Sequence, residues 1–166
     1  YDDSALTWSP DSRTIAFASN RVSDADRHSY RSDIWLVPAR GGKPKRLETP
    51  FGSKAGLAWS PNGKHIAYIG TDAGDDPWLP KNAYLWVAPV SRGKARCLSG
   101  ALDRSVGDST LGDVREGASG SPVWTGDSGR LIVTVSDTGS AHLYAVDVAS
   151  AKWTPLTSDA RDAIGL

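Results

Sequence analysis

The tetrapeptide Gly126-Asp127-Ser128-Gly129 holds a serine whose neighbours resemble a nucleophile loop. A serine of that kind reacts only when a histidine lies within hydrogen-bond reach and is itself oriented by a third group. The tetrapeptide occupies the place that Pro10-Asp11-Ser12 and Pro61-Asn62-Gly63 occupy in two earlier copies of one pattern, so it is read as a turn. The three histidines share no metal-ligand spacing: His28 lies in an insertion, and His65 and His142 replace Thr14 and Asp33 of the first copy. Asp24 and Asp26, and Asp72, Asp75 and Asp76, lack the spacing and the glycine of a calcium loop. Lys43, Lys64 and Lys94 each follow glycine, but none is followed by the serine or threonine of a phosphate loop. Cys97 is the sole cysteine, so no internal disulfide and no thiolate cluster can form. These residues predict no cofactor, no metal and no catalytic triad.

The elements that position these residues come from an internal repeat. Leu6-Thr7-Trp8-Ser9-Pro10-Asp11-Ser12-Arg13 matches Leu57-Ala58-Trp59-Ser60-Pro61-Asn62-Gly63-Lys64 at an offset of 51 residues, and Ile34-Trp35-Leu36-Val37 matches Leu85-Trp86-Val87-Ala88 at the same offset. A third copy carries Pro122-Val123-Trp124-Thr125, then Leu131-Ile132-Val133-Thr134-Val135, Leu143-Tyr144-Ala145-Val146 and Pro155-Leu156. Its first turn is expected to be one residue longer. In all three copies an aromatic stands 12 residues before a leucine: Trp35 and Leu47, Trp86 and Leu98, Tyr144 and Leu156.

Each copy reads as four short strands separated by turn formers. The second and third strands are almost continuously apolar, the mark of a sheet covered on both faces. A repeat near 50 residues with four strands points to an all-β fold, a partial β-propeller of about three four-stranded blades in one segment, 1–166. The blades fall near 1–50, 51–100 and 118–160, with insertions at 20–32, 70–83 and 99–120. The recurring Trp8, Trp59 and Trp124 are expected in the blade core. About 4–8 blades close a ring. Three leave two open faces, expected to be lined by Ile15, Phe17, Ile34 and Leu36 and by Ile132, Val133, Leu143 and Val146. Further blades or self-association would cover them.

Nineteen basic and nineteen acidic side chains give zero formal charge, which argues against nucleic acid as a partner. No apolar run approaches the roughly 20 residues of a membrane span, and no membrane partner is expected. The first residues, Tyr1-Asp2-Asp3-Ser4, do not read as a signal peptide. With the lone cysteine, this suggests a cytoplasmic protein. The absence of methionine reads as an internal piece, a processed product or a trimmed chain.

The Trp-Ser-Pro-Asp-Ser-Arg-Thr-Ile-Ala-Phe segment, with Ser32-Asp33-Ile34-Trp35-Leu36-Val37-Pro38 and Gly41-Gly42-Lys43-Pro44-Lys45-Arg46-Leu47, resembles the propeller repeat shared by TolB-like proteins and prolyl-oligopeptidase-family serine peptidases. The insertions through Asp24-Ala25-Asp26-Arg27-His28 and through Ser105-Val106-Gly107-Asp108 and Gly112-Asp113-Val114-Arg115 are similar to those of the acylaminoacyl-peptidase and dipeptidyl-peptidase branch. That resemblance implies a propeller that caps an α/β-hydrolase domain and admits short peptides. The nucleophile then belongs to the other domain, in a Gly-x-Ser-x-Gly elbow that this sequence lacks. The alternative is a non-enzymatic TolB-like protein-binding module. Arginine forks recognise carboxylates, so Arg21, Arg27, Arg31, Arg104 and Arg115, all in insertions, are candidates for peptide-terminus or interdomain contacts, or for surface and interblade ion pairs. Trp78 is placed either against a neighbouring domain or in a local loop core.

Overall fold

The computed structural model describes residues 2–72, 81–107 and 120–158. Each copy of the repeat folds into one four-stranded antiparallel sheet whose order across the sheet follows its order along the chain. Blade 1 holds β1 (Asp2–Trp8), β2 (Thr14–Asn20), β3 (Asp33–Pro38) and β4 (Lys45–Arg46). Blade 2 holds β5 (Lys54–Trp59), β6 (His65–Gly70), β7 (Tyr84–Pro89) and β8 (Arg96–Cys97). Blade 3 holds β9 (Val123–Trp124), β10 (Arg130–Asp137), β11 (Ser140–Asp147) and β12 (Trp153–Pro155). The first strands β1, β5 and β9 are neighbours in space, which makes them the inner strands of the blades. Among the described residues one element was not anticipated from the sequence, the 3-10 turn Ala25–His28 in the first insertion.

The first hairpin of every blade is closed by side chains in the same way. Ser9 Oγ donates to Asp11 Oδ1 at 2.6 Å and accepts from the Thr14 amide at 2.9 Å. Ser60 with Asn62 and His65, and Thr125 with Asp127 and Arg130, repeat this arrangement. Ser12, Gly63 and Ser128 stand at the same left-handed corner, with φ of 57°, 69° and 61°. The hydroxyl bonds from Ser9 and Thr125 hold the Asp11 and Asp127 carboxyls below their ordinary range. The third turn is not longer than the others. Trp8 pairs with Ile15, Trp59 with Ile66 and Trp124 with Leu131, because Gly126 simply replaces Pro10 and Pro61.

Two apolar clusters lie between the blades. Ala16, Ala18, Ile34, Leu36 and Leu47 of blade 1 meet Leu57, Ile66, Tyr68, Trp86 and Ala88 of blade 2. On the other side of blade 2, Ala67, Ile69, Leu85, Val87 and Leu98 meet Leu131, Val133, Val135 and Val146 of blade 3. The near-continuous apolar strands are thus explained, since alternate side chains of β6 and β7 enter different clusters.

This alternation corrects the expected open faces. Ile34, Leu36, Val133 and Val146 are buried between blades. By strand alternation the outer face of blade 1 carries Leu6, Trp8, Ile15, Phe17, Trp35 and Val37, and that of blade 3 carries Ile132, Leu143, Ala145 and Leu156.

The repeated tryptophans are junction residues more than core residues. Trp59 and Trp124 are half-buried against the two clusters, and Trp8 is exposed. The Trp59 indole N–H donates to the Thr7 carbonyl of blade 1 at 3.3 Å, and the Trp124 indole to the Ala58 carbonyl of blade 2 at 3.0 Å. Each acceptor immediately precedes the tryptophan of its own blade. A cation repeats the link farther out: Lys45 Nζ donates to the Ser91 carbonyl at 3.1 Å, and its counterpart Arg96 to the Ala149 carbonyl at 3.0 Å.

The inner strands of blades 1 and 2 also share a bulge, centred on residues of positive φ, Ala5 (51°) and Gly56 (58°). A Cβ on Gly56 would lie 3.2 Å from Ser121 Cα and 3.3 Å from Pro122 Cδ. Gly56→Ala is therefore expected to destabilise the chain by about 1 kcal/mol, the left-handed strain of an L-residue less the gain from a stiffer unfolded chain, and by more if Ser121 cannot yield. Ala5→Gly should gain at most about 1 kcal/mol, because glycine's freer unfolded chain offsets part of the relieved strain. Urea denaturation midpoints of the two variants check both signs.

Candidate functional site

Strand direction alternates within each blade, so the connections separate onto two rims. The turns after the first and third strands emerge on one rim and are short. The β2–β3 and β6–β7 connections and the links between blades emerge on the other, and these contain all three insertions. Loops placed on a rigid scaffold are where binding residues concentrate, which makes the long-loop rim the candidate site.

The first insertion is held by Asn20, whose Nδ2 donates to the carbonyls of His28 at 2.8 Å and Ala25 at 3.4 Å. Arg21 leaves the end of β2 and lies over the rings of Trp35 and Phe17, with 4.8 and 5.2 Å to their centroids. Its guanidinium pairs with Asp3 at 3.6 Å and donates to Ser19 Oγ at 3.1 Å. Arg31 lies 3.7 Å from the Phe51 ring centroid, a cation–π contact between the insertion and the link to blade 2. Its buried Nε has no hydrogen-bond partner among the described residues. Arg21, Arg31, Asp33 and Phe51 line one shallow cleft at this rim.

Beneath the link lies Lys54, buried at the start of β5. Its ammonium donates to the carbonyls of Pro50 and Gly52, the latter at 2.9 Å. Its backbone amide donates to Ser32 Oγ at 2.9 Å, tying the inner strand of blade 2 to the first insertion. Burial lowers the Lys54 pKa to about 8, against the opposing pull of Asp33 and Asp72. Asp33 is meanwhile paired with Arg46 at 3.3 Å.

The predicted residues are thus only partly brought together. Arg21 and Arg31 share the cleft. Arg27 is exposed and paired with Asp24 at 3.6 Å. Arg104 is at the junction of blades 2 and 3, joined to Asp137 at 2.7 Å, which is the interblade ion pair that the sequence left as an alternative. Trp78 and Arg115 lie outside the described residues. Lys54 and Phe51 were not anticipated. Lys54 aligns with Asp3 of the first copy, so the repeat itself gave no sign of a buried cation.

The cleft is small, about 10 Å³, and sets Arg21 and Arg31 beside Asp33; its hydroxyls, Ser19 and Ser32, have no histidine beside them among the residues that line it. Ser128 stands on the opposite rim, where its Oγ accepts from the Asn62 amide at 3.1 Å. Asp127 is engaged by Thr125 Oγ1 and the Gly129 amide.

No protein-family model matches the chain. Its blades superpose on a Mycobacterium tuberculosis puromycin-hydrolyzing peptidase with a TM-score of 0.67 and 14% identity, covering 97% of this chain and 23% of that one. The chain is a β-propeller segment. TolB from Acinetobacter baumannii matches with a TM-score of 0.64 and 17% identity, over 97% of this chain and 33% of TolB. The propeller repeat read in the sequence as common to TolB-like proteins and serine peptidases is thus met in fold by both. In sequence, 60 residues are 38% identical to the uncharacterized peptidase YuxL of Bacillus subtilis, which is 36% of this propeller segment and 8% of YuxL. The segment spans less than half of each of these three proteins.

Lys54 supplies a pH test of the rim. Its folded pKa of about 8 lies below the ordinary 10.5, so the unfolded chain binds more protons between those values and stability rises with pH across that window. Below pH 8 both states are protonated and the burial cost is fully present. The stability of wild type relative to Lys54→Met is expected to improve from pH 8 to 10.5 and to be flat from pH 6 to 7.5, as measured by urea denaturation at each pH.

Proposed function

We propose that this segment belongs to the propeller of a serine peptidase acting on short peptides, of the acylaminoacyl- or dipeptidyl-peptidase type, and is not catalytic by itself. The catalytic serine, aspartate and histidine are then carried by an α/β-hydrolase domain of the parent protein, and further blades complete the ring. The observation that carries this reading is that the described strand ends flanking the insertions share one rim, where Arg31 lies over Phe51 with no carboxylate paired to it among the described residues. The matches to a puromycin-hydrolyzing peptidase and to YuxL support it. In this role the long-loop rim faces the hydrolase domain and gates peptide entry. Arg31 receives the peptide carboxylate, and Arg21, shielded by Asp3, stiffens the cleft wall.

A second reading, a TolB-like module that binds proteins without catalysis, is favoured by the equally good superposition on TolB. The two differ in what the cleft does. In the parent peptidase, Arg31→Ala should raise KM for short peptides several-fold with little change in kcat, because a lost contact made equally in ground and transition states acts on KM. Unchanged kinetics would move the cleft out of substrate binding, and a parent with no hydrolytic activity would favour the TolB-like module.

The segment itself is expected not to react with a serine-directed fluorophosphonate and not to turn over acyl-amino-acid anilides. Stoichiometric labelling that disappears in Ser128→Ala would overturn this.

A further inference from the structure

Phe51 is 40% exposed and belongs to neither apolar cluster, so its backbone and not its packing sets where the ring sits. That backbone is held from both sides. The Lys54 ammonium donates to the carbonyls of Pro50 and Gly52, the residues immediately before and after Phe51. The Gly52 carbonyl also accepts from the amide of Ser32, the residue that follows Arg31, at 3.0 Å. Toward the second insertion, the Ser53 amide donates to Thr71 Oγ1 at 3.2 Å and the Ser53 carbonyl accepts from the Thr71 amide at 3.3 Å. Gly52, with φ of 146°, passes so close to the Thr71 carbonyl that no Cβ would fit there. The link 50–54 is thus a strap between the bases of the first two insertions, and one buried ammonium spans the bend that presents the ring.

We propose that Lys54 positions the Arg31 cleft and regulates it through its proton: the ammonium seats the Phe51 ring beneath Arg31, and the neutral amine holds that ring less firmly. The regulation rests on the reading of Arg31 as the seat of the peptide carboxylate, whereas the positioning does not. Hydrogen bonds from a charged donor are roughly twice as strong as those from a neutral one, so loss of the proton weakens both ties to the strap. Arg31 then loses the nearer of the two rings that orient it, at 3.7 Å against 5.7 Å for Tyr30.

The charges that act on the ammonium come from three elements. Asp33 at the start of β3 and Asp72 after β6 favour the proton, and Arg46 of β4 opposes it, while burial opposes it most and brings the pKa to about 8. Asp33 is shared with Arg46, and Asp3 on the neighbouring inner strand is engaged by Arg21. Among the described residues no carboxylate pairs directly with Lys54, which leaves the two carbonyls as its partners. The strap is therefore tight below pH 8 and looser above it. The contribution of Lys54 to global stability rises over the same range, because release of the proton removes the burial cost. A loosened cleft is thereby separated from unfolding.

Phenylglyoxal modification of the full-length protein that carries this segment, located by mass spectrometry, tests this between pH 6.5 and 9.5. Arg31 is referenced to the exposed Arg27 of the same chain, which cancels the reagent's own pH dependence. In wild type the ratio of Arg31 to Arg27 modification is expected to be flat up to pH 7 and to rise about threefold by pH 9.5, the difference between charged and neutral hydrogen bonds. Lys54→Met should raise the ratio about tenfold at pH 7 and flatten the profile. Phe51→Leu alters an exposed side chain and leaves the strap intact; it should also raise the ratio and abolish its pH dependence, and it carries the test if Lys54→Met fails to fold. A ratio independent of pH in wild type, a folded Lys54→Met with the wild-type ratio, or a pH dependence that persists in Phe51→Leu overturns the proposal. Peptide kinetics separate it from the function assigned to the cleft. The KM of wild type relative to Phe51→Leu should rise across pH 8. A modification ratio that responds as stated, while Arg31→Ala leaves the kinetics unchanged, upholds the positioning by Lys54 and overturns the peptide reading alone.

Discussion

A four-stranded sheet with apolar side chains on both faces must be covered twice, and every other feature of this chain follows from that requirement. Blade 2 meets it completely, with one cluster on each side. Apolar contact alone leaves sheets free to slide, since it has no direction. The indole N–H and the Lys45 and Arg96 cations supply direction, because each donor reaches one backbone carbonyl of the adjoining blade. Tryptophan suits the inner position for this reason. It brings the large apolar body that fills the wedge between blades and a donor at its edge that fixes their register.

Much of the architecture was legible because the repeat preserves spacing. The interval from Trp35 to Leu47 recurs at Trp86 and Tyr144, and the side-chain-closed hairpin recurs three times although Ser, Thr, Asp and Asn exchange within it. Which face each strand residue takes was not legible. In Ile34-Trp35-Leu36-Val37 all four side chains are apolar, so hydrophobicity carries no phase, and only the packed neighbour shows that Ile34 and Leu36 point into the first cluster. The tryptophans mislead for a similar reason. Recurrence marks them as structural, but a residue at a junction and a residue in a core recur alike.

The site was less legible than the fold. Insertions stand out against a repeat, so Arg21 and Arg31 could be singled out, yet Arg104 stands in an insertion too and serves as an interblade tie to Asp137. Lys54 and Phe51 gave no signal, since their importance comes from a link that folds over the inner strand and brings carbonyls of Pro50 and Gly52 to an ammonium. Contacts of that kind depend on the path of the chain between blades, which the repeat does not encode.

Because each blade uses four consecutive strands, its backbone pairings join residues close in sequence, and the longest-range contacts are those between adjoining blades. Short loops close at little entropic cost, so an all-β chain of this kind escapes much of the slow search that non-local sheets impose. A blade can assemble as it leaves the ribosome and then serve as the template for the next, as in other repeat proteins whose stability is a sum of unit and neighbour terms. Cooperativity then resides in the junctions: weakening the indole-to-carbonyl link at one of them should turn a single unfolding transition into two.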